Sequence, residues 1–202
     1  MRAGTNTVTS DIDRRKLLHR LFKDSDKWVF ISGLAGASKD TAALTNDGAN
    51  LFSMAGTMGA AVPMGLGVAL SAPNENVAVI TGDGEMLMGI GALATVAAMK
   101  PQNLRIVCLD NSMHGETGGQ TGLTAQTTNL ELIARGAGIE RTMTVTQMSQ
   151  VAEAETFLKQ SRGPVFLLCR ITPTEPSNYK RNMKPDECRT KFQRGFLEKS
   201  GF

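Results

Sequence analysis

Cysteine and long apolar runs are scarce in this 202-residue chain. Its three cysteines, Cys108, Cys169 and Cys188, lie far apart without the spacing of a metal site, and the first two fall in strand-like apolar runs where we expect buried thiols. No run approaches the roughly 20 apolar residues that cross a bilayer, and residues 1–10 are polar, without the apolar core of a signal peptide. We therefore expect a cytoplasmic protein that does not enter the membrane.

Aromatic side chains and basic clusters are also sparse. The chain has eight Phe, one Trp and one Tyr, a formal net charge of +3 and no block of Lys and Arg, so nucleic-acid binding is not indicated. Its length and its hydrophobic content of 41% predict a single globular domain over residues 1–202. Residues 172–202 are expected to form a C-terminal extension ending in a basic helix, whose charges serve as a solvated face or a subunit contact.

Strand-like and helix-like segments alternate along the rest of the chain. A first helix is expected after a cap at Ser10 and Asp11, a Gly-rich and Ala-rich loop over residues 33–49, and one long helix over 85–100 that Pro101 stops. Strands are predicted at 28–32, 77–81, 104–109, 142–145 and 164–171, and further helices at 130–138 and 148–161. This order predicts an α/β fold, a doubly wound, Rossmann-like parallel sheet with helices on both faces.

Polar residues follow two of these predicted strands. Gly82-Asp83-Gly84 ends one and Asp110-Asn111 ends the next. Asp83 and Asn111 are 28 positions apart, which leaves room for one crossover helix. A carboxylate, a carboxamide oxygen and the unpaired N–H groups of a helix start suit Mg²⁺ bound to a diphosphate. A tight turn without a ligand remains the alternative for the tripeptide alone.

Together these residues resemble the thiamine diphosphate motif, with Asp110 where a first Asn is commoner. Residues 109–120 are similar to one branch of the thiamine diphosphate-dependent decarboxylases, the branch that acts on phosphonopyruvate and sulfopyruvate. Their sequence is Leu-Asp-Asn-Ser-Met-His-Gly-Glu-Thr-Gly-Gly-Gln. Residues 50–59 resemble the family loop that holds the aminopyrimidine ring of the cofactor. The resemblance extends over about residues 28–170. It implies a thiamine diphosphate-binding fold.

The resemblance also assigns roles to individual residues. Asp83, the Asn111 side chain and the Met113 carbonyl would ligate Mg²⁺, and the backbone N–H groups of Gly84 and Glu85 would hold the diphosphate. The Glu85 side chain is expected to turn outward, since a carboxylate repels a diphosphate. The cofactor contacts implied in this way are Gly56, Met58, Gly82, Asp83, Gly84, Glu85, Asn111, Met113, His114 and Gly115.

Met58 and His114 are the predicted catalytic residues in that set. The Gly56 carbonyl would accept the cofactor's amino group, and Met58 would wedge between its two rings, although an ordinary core position is the other interpretation of this Met. His114 would contact the substrate's anionic head or move a proton, unless it is only a hydrogen-bonded surface residue.

The same resemblance implies a partner. Enzymes of this family draw an activating Glu from a separate pyrimidine domain, for which residues 1–202 leave no room. We therefore expect the diphosphate-binding subunit of a split, hetero-oligomeric enzyme such as a heterotetramer, which converts a 2-oxo acid to an aldehyde and CO₂ with thiamine diphosphate and Mg²⁺. The alternatives are a subunit of a carboligase resembling acetolactate synthase, or a cofactor-binding subunit without turnover of its own.

Overall fold

Six parallel strands form the central sheet of the computed structural model, which describes residues 10–200. Two further strands of two residues each pair antiparallel with each other. In chain order the strands are β1 (Trp28–Ser32), β2 (Leu51–Ser53), β3 (Asn76–Gly82), β4 (Leu104–Asp110), β5 (Met113–His114), β6 (Gln120–Thr121), β7 (Arg141–Val145) and β8 (Val165–Arg170).

The sheet has the strand order β2-β1-β3-β4-β8-β7. The chain runs outward from β1 to β2 and then returns across β1 to β3, so the direction of winding reverses between β1 and β3. Open α/β sheets bind ligands at such a switch point, beyond the carboxyl ends of the strands. The predicted doubly wound α/β fold is confirmed, and it places the loops after β1 and β3 side by side.

Helices cover both faces of the sheet and fill the connections between its strands. They are α1 (Arg14–Leu21), α2 (Ala35–Thr45), α3 (Ala61–Ser71), α4 (Asp83–Met88), α5 (Ala92–Met99), α6 (Leu130–Gly136), α7 (Val151–Gln160) and α8 (Pro185–Ser200). Short 3₁₀ turns lie at Ser25–Lys27, Gly115–Thr117, Leu123–Ala125 and Met148–Gln150.

Side chains of the central strands alternate between two apolar layers. In β3, Ala78 and Ile80 pack with α1, α2 and α7, whereas Val77 and Val79 pack with α3, α5 and α6. Burying one such aliphatic side chain contributes about 1.5–3 kcal/mol. All three cysteines are free and buried, so apolar packing and not disulfide bonding stabilises the sheet.

The first helix begins later than predicted. Asp13, and not Ser10 or Asp11, caps it, because the Asp13 side chain accepts the N–H of Arg15. The other two side chains are used in long-range contacts. Ser10 Oγ donates to the Arg170 carbonyl, and the Asp11 carboxylate accepts the N–H of Met148.

The single helix predicted over residues 85–100 is wrong, since the chain breaks between α4 and α5. Gly89 lies at the break, where its backbone packs against the turn at Gly59. A Cβ at position 89 would lie 2.1 Å from the Gly59 carbonyl oxygen. The close approach of these two glycines ends α4 and brings the segment before α3 against it.

The loop predicted over residues 33–49 is also wrong, because it contains α2. Asp40 on this helix forms a buried ion pair with Arg14, with 2.6 Å between the carboxylate Oδ2 and the guanidinium Nε. A local pattern of small and polar residues does not reveal that distant partner. The strand β2 likewise lies within the segment 50–59 that was predicted as a cofactor loop.

Residues 171–184 carry no helix or strand, and α8 follows them. The Phe192 ring on α8 packs against Phe52 of the edge strand β2, with 5.5 Å between ring centroids. The final helix therefore covers the outer edge of the sheet. In the part of the chain that the structure describes, no helix combines the length and apolar character needed to span a bilayer.

Candidate functional site

A cleft of about 500 Å³ lies at the switch point of the sheet. The loops that follow β1, β3 and β4 line it, together with residues 173–176 of the C-terminal tail. Nine of the ten predicted cofactor contacts line this one cleft, although they come from three separate stretches of sequence. They are Met58, Gly82, Asp83, Gly84, Glu85, Asn111, Met113, His114 and Gly115.

Gly56 is the predicted contact that does not line the cleft. It lies in the turn before Met58 with a φ of +96°, a conformation that favours glycine. Within residues 10–200, no backbone or side-chain donor bonds its carbonyl oxygen. Met58 does line the cleft, and 36% of its surface is exposed, so it is not a core residue.

Two buried carboxylates and one hydroxyl lie together beside the cleft, and of these three residues only Asp83 lines it. Thr124 Oγ1 lies 3.0 Å from Asp83 Oδ2 and 2.9 Å from Asp110 Oδ1. Both aspartates are at most 3% exposed. Because a hydroxyl has a single proton, Thr124 can donate to only one of the two carboxylates at a time.

Arg170 compensates the charge of Asp110. Its Nη1 lies 3.0 Å from Asp110 Oδ2, an ion pair without hydrogen-bond geometry, and donates to the Thr124 carbonyl at 3.1 Å. The parallel register pairs Asp110 at the end of β4 with Arg170 at the end of β8. Arg170 therefore holds both Asp110 and the segment that carries Thr124.

Asp83 has no such cation among the described residues. Burial, and then the charge of neighbouring Asp110, raise the pKa of Asp83 to about 7. A carboxylate in this position is stabilised by a cation in the cleft, and Mg²⁺ prefers oxygen ligands of this kind. Residues 10–200 contain no group of three or more His, Cys, Asp or Glu side chains suited to a metal. The predicted Mg²⁺ ligands are of a different kind, because they comprise one carboxylate, one side-chain amide and one backbone carbonyl. Such a set suits a cation whose remaining ligands come from a diphosphate.

The segment after β4 turns sharply back over the Gly82-Asp83-Gly84 turn. Ser112 has a φ of +59°, and the Asn111 side-chain oxygen accepts the N–H of Met113 at 3.2 Å. The exposed His114 ring lies over Gly84. A Cβ at position 84 would lie 3.1 Å from its Nδ1 and Cε1 atoms. The fold thus brings the imidazole directly over the residue whose N–H is predicted to hold a diphosphate.

The prediction that the Glu85 side chain turns outward is wrong. Glu85 is buried, its Oε2 accepts the N–H of Leu34 at 3.3 Å, and its Oε1 has no hydrogen-bond partner among residues 10–200. Gly33, at the end of β1, makes this possible, since a Cβ there would lie 1.6 Å from Oε1. Burial raises the pKa of the Glu85 carboxyl group, because its charged form is poorly solvated there.

Gly33→Ala should therefore destabilise the protein. The added methyl collides with the buried carboxyl group, and overpacking of this kind costs about 1–3 kcal/mol of unfolding free energy. Chemical unfolding measures this loss of unfolding free energy. Gly33→Ala/Glu85→Ala should recover most of the loss, and the control Gly67→Ala should show none, because a Cβ at position 67 meets no atom within 4 Å. A loss equal in the single and double variants would contradict the packing described for Glu85.

Comparison with known proteins agrees with this geometry. The sequence pattern of the family described as "Thiamine pyrophosphate enzyme, C-terminal TPP binding domain" matches residues 36–169, about two thirds of the chain. This chain belongs to that thiamine pyrophosphate enzyme family. The matched range runs from the second residue of α2 to the last residue but one of β8. It includes the loops after β3, after β4 and before α3, which carry the predicted contacts.

Two relatives in this family have names that describe their activity. The chain is 36% identical over 155 residues to sulfopyruvate decarboxylase subunit beta of Methanocaldococcus jannaschii, covering 77% of this chain and 79% of that one. It is 34% identical over 156 residues to phosphonopyruvate decarboxylase of Streptomyces viridochromogenes, covering 77% of this chain but 39% of that one. The predicted resemblance to this branch of thiamine pyrophosphate enzymes is confirmed.

Solved structures share the fold at lower sequence identity. The 2-oxoglutarate:ferredoxin oxidoreductase of Magnetococcus marinus superposes with a TM-score of 0.62 at 17% identity, over 86% of this chain and 68% of that one. A candidate thiamin diphosphate-dependent enzyme from Mycobacterium smegmatis superposes with a TM-score of 0.67 at 22% identity, over 85% of this chain and 33% of that one. These likenesses establish the fold of the thiamine pyrophosphate enzymes and no more.

Sequence reasoning missed several residues of the site. Arg170 carried a usable signal, since it is a lone charge at the end of an apolar strand parallel to the one that ends at Asp110. Thr124 carried none, because it lies on a 3₁₀ turn without a pattern of its own. Arg14 and Lys39 were also missed, and both line the cleft.

Proposed function

We propose that this chain is the diphosphate-binding subunit of a split, Mg²⁺-dependent and thiamine diphosphate-dependent decarboxylase of short 2-oxo acids. The observation that carries the proposal is the convergence of Asp83, Asn111 and His114 on one cleft in a chain of this family. The names of the two relatives favour a 2-oxo acid of the sulfopyruvate or phosphonopyruvate type. In this proposal residues 1–202 act as one diphosphate-binding unit, with residues 172–202 as its C-terminal extension.

The cofactor's diphosphate and its metal are held after β3 and β4. Asp83, the Asn111 side-chain oxygen and the Met113 carbonyl ligate Mg²⁺, and the backbone N–H groups of Gly84 and Glu85 bind diphosphate oxygens. Gly82 and Gly115 border this site without side chains that would fill it. The Asp83 carboxylate is buried and has no cation partner among residues 10–200, which supports the metal assignment.

Met58, Gly56 and His114 serve the reacting end of the cofactor. When bound, thiamine diphosphate supplies a carbon nucleophile and an acceptor for the electrons released with CO₂. The Gly56 carbonyl would accept the cofactor's amino group, and Met58 would wedge between its two rings. His114 would contact the substrate's anionic head or move a proton during product formation, because its exposed ring lines the cleft.

The partner in this proposal is a pyrimidine-type subunit that supplies the activating Glu. The name "subunit beta" of the Methanocaldococcus jannaschii relative supports a hetero-oligomer, for which we propose a heterotetramer. The three unpaired cysteines suit a reducing compartment, so the cytoplasm is the proposed location.

Release of CO₂ from a set of 2-oxo acids tests the function. The chain is assayed alone and with the pyrimidine-type subunit of the same source, with thiamine diphosphate and Mg²⁺, on sulfopyruvate, phosphonopyruvate and pyruvate. The proposal expects CO₂ and an aldehyde only when both subunits are present. A larger 2-hydroxy-3-oxo acid as product would indicate a carboligase, and no turnover in a complex that binds the cofactor would indicate a non-catalytic subunit.

Met58→Ala should reduce turnover more than it weakens cofactor binding. The shortened side chain no longer supports the bent cofactor, whereas the diphosphate site after β3 is left intact. We expect kcat to fall about 10- to 100-fold with a change in thiamine diphosphate affinity below about threefold. Steady-state kinetics and calorimetry measure the two quantities. Met88→Ala is the matched control, since Met88 is more exposed and does not line the cleft. An unchanged kcat would remove Met58 from the site.

A further inference from the structure

A buried guanidinium on α1 lines the cleft with donors that no described residue uses. Arg14 is only 5% exposed. Its Nε donates to Asp40 Oδ2 at 2.6 Å, and the other oxygen of Asp40 accepts the N–H of Ser177 at 2.7 Å. Within residues 10–200, neither Nη1 nor Nη2 of Arg14 makes a hydrogen bond. The ion pair therefore fixes the guanidinium while leaving two nitrogen atoms without an acceptor.

The Arg14 guanidinium packs directly against the backbone of Gly36. A Cβ at Gly36, in the first turn of α2, would lie 2.1 Å from Arg14 Nη2, so a side chain there would displace the guanidinium. Neither Nη atom is sealed off inside the protein, so both are open to a ligand from the cleft. An anion in the cleft would supply the missing acceptors, and a planar fork of N–H groups suits a group with several oxygens.

A second cation lies on the same helix as Asp40. Lys39 lines the cleft, and its Nζ is 3.6 Å from Glu116 Oε1 with both side chains partly exposed. Partly exposed ion pairs of this kind contribute little stability, so a ligand anion can replace Glu116 at little cost. Arg14 and Lys39 are thus two cations at the β1 side of the cleft, beside the metal and diphosphate site after β3 and β4.

We propose that Arg14 and Lys39 bind the second acidic group of the substrate, a sulfonate or phosphonate at the end remote from the 2-oxo acid. This inference rests on the proposed function and adds the residues that select its substrate. A plain 2-oxo acid such as pyruvate has no second acidic group to accept from the Arg14 donors, so it gains no affinity from them. The cofactor's diphosphate has the same oxyanion chemistry, and the test distinguishes the two sources.

The test uses the complete complex with thiamine diphosphate and Mg²⁺, and compares sulfopyruvate and phosphonopyruvate with pyruvate. Arg14→Lys keeps a positive charge beside Asp40 but loses the fork. It should raise KM for the doubly acidic substrates about 10- to 100-fold, with kcat within about threefold and kcat/KM for pyruvate unchanged. Lys39→Met should raise the same KM about 3- to 10-fold. Lys23→Met is the control, since its exposed ion pair with Glu155 lies outside the cleft.

Calorimetry of thiamine diphosphate binding completes the test. Unchanged cofactor affinity in Arg14→Lys supports the substrate assignment, whereas an affinity loss of about tenfold or more would assign the guanidinium to the diphosphate and overturn it. An equal loss for pyruvate and the doubly acidic substrates would also overturn it. If Arg14→Lys does not fold, Lys39→Met decides, and an unchanged KM ratio counts against the proposal. A wild-type complex that binds the cofactor but decarboxylates none of the acids refutes the proposed function itself, and this inference with it.

Discussion

Asp83→Ala should abolish Mg²⁺-dependent binding of thiamine diphosphate, with a loss of affinity of about 100-fold or more. Asp83 is the one carboxylate in the predicted metal set, and the remaining ligands are a neutral amide and a backbone carbonyl. Titration calorimetry with and without Mg²⁺ measures the effect. Unchanged affinity would remove Asp83 from the site.

The fold should survive this substitution. Asp83 is buried beside Asp110 without a cation among the described residues, so its removal relieves an unfavourable charge. We expect an unfolding free energy equal to or above that of the wild type. Asp83→Asn should also lose Mg²⁺ dependence, because the amide keeps the shape of the side chain but not its charge. Asp186→Ala, on the exposed start of α8, is the control and should bind the cofactor normally.

Arg170→Met should lower the unfolding free energy by about 3–5 kcal/mol. Asp110 is 1% exposed and Arg170 supplies the cation 3.0 Å from its carboxylate, so the variant leaves a buried charge without compensation. The hydrogen bond from Arg170 to the Thr124 carbonyl is lost as well. Urea denaturation of the metal-free chain gives the magnitude.

A double variant separates charge from packing in that result. Arg170→Met/Asp110→Asn removes both charges and should recover a large part of the lost stability, because no unpaired carboxylate remains. It should not recover all of it, since the bond to Thr124 stays broken. A loss below about 1 kcal/mol in Arg170→Met would show that the ion pair does not hold the strand ends together.

The central strands could be predicted closely from sequence because they are buried on both faces. A parallel strand in this position is a continuous apolar run, and the predicted segments 28–32, 77–81 and 104–109 lie within one residue of β1, β3 and β4. Residues at the ends of such strands meet at one sheet edge. This rule predicted that Asp83 and Asn111, which are 28 positions apart in the sequence, lie close together, and both line the same cleft.

The features that could not be predicted depend on contacts between distant residues. The break between α4 and α5 follows from the approach of Gly89 to Gly59, and α2 is held by the Arg14 to Asp40 ion pair. Glu85 is buried because Gly33, at the end of a different strand, leaves space for it. The pattern of apolar residues within one helix or strand does not indicate which distant residue a side chain will contact.

Calorimetric titration of the purified chain with thiamine diphosphate is the most direct test of the account. It is carried out with and without Mg²⁺, and with and without the pyrimidine-type partner subunit. We expect one site per chain that requires Mg²⁺ and binds the cofactor more tightly when the partner is present. No heat of binding in either case, from a chain that circular dichroism shows to be folded, would contradict the assignment of the cleft to thiamine diphosphate.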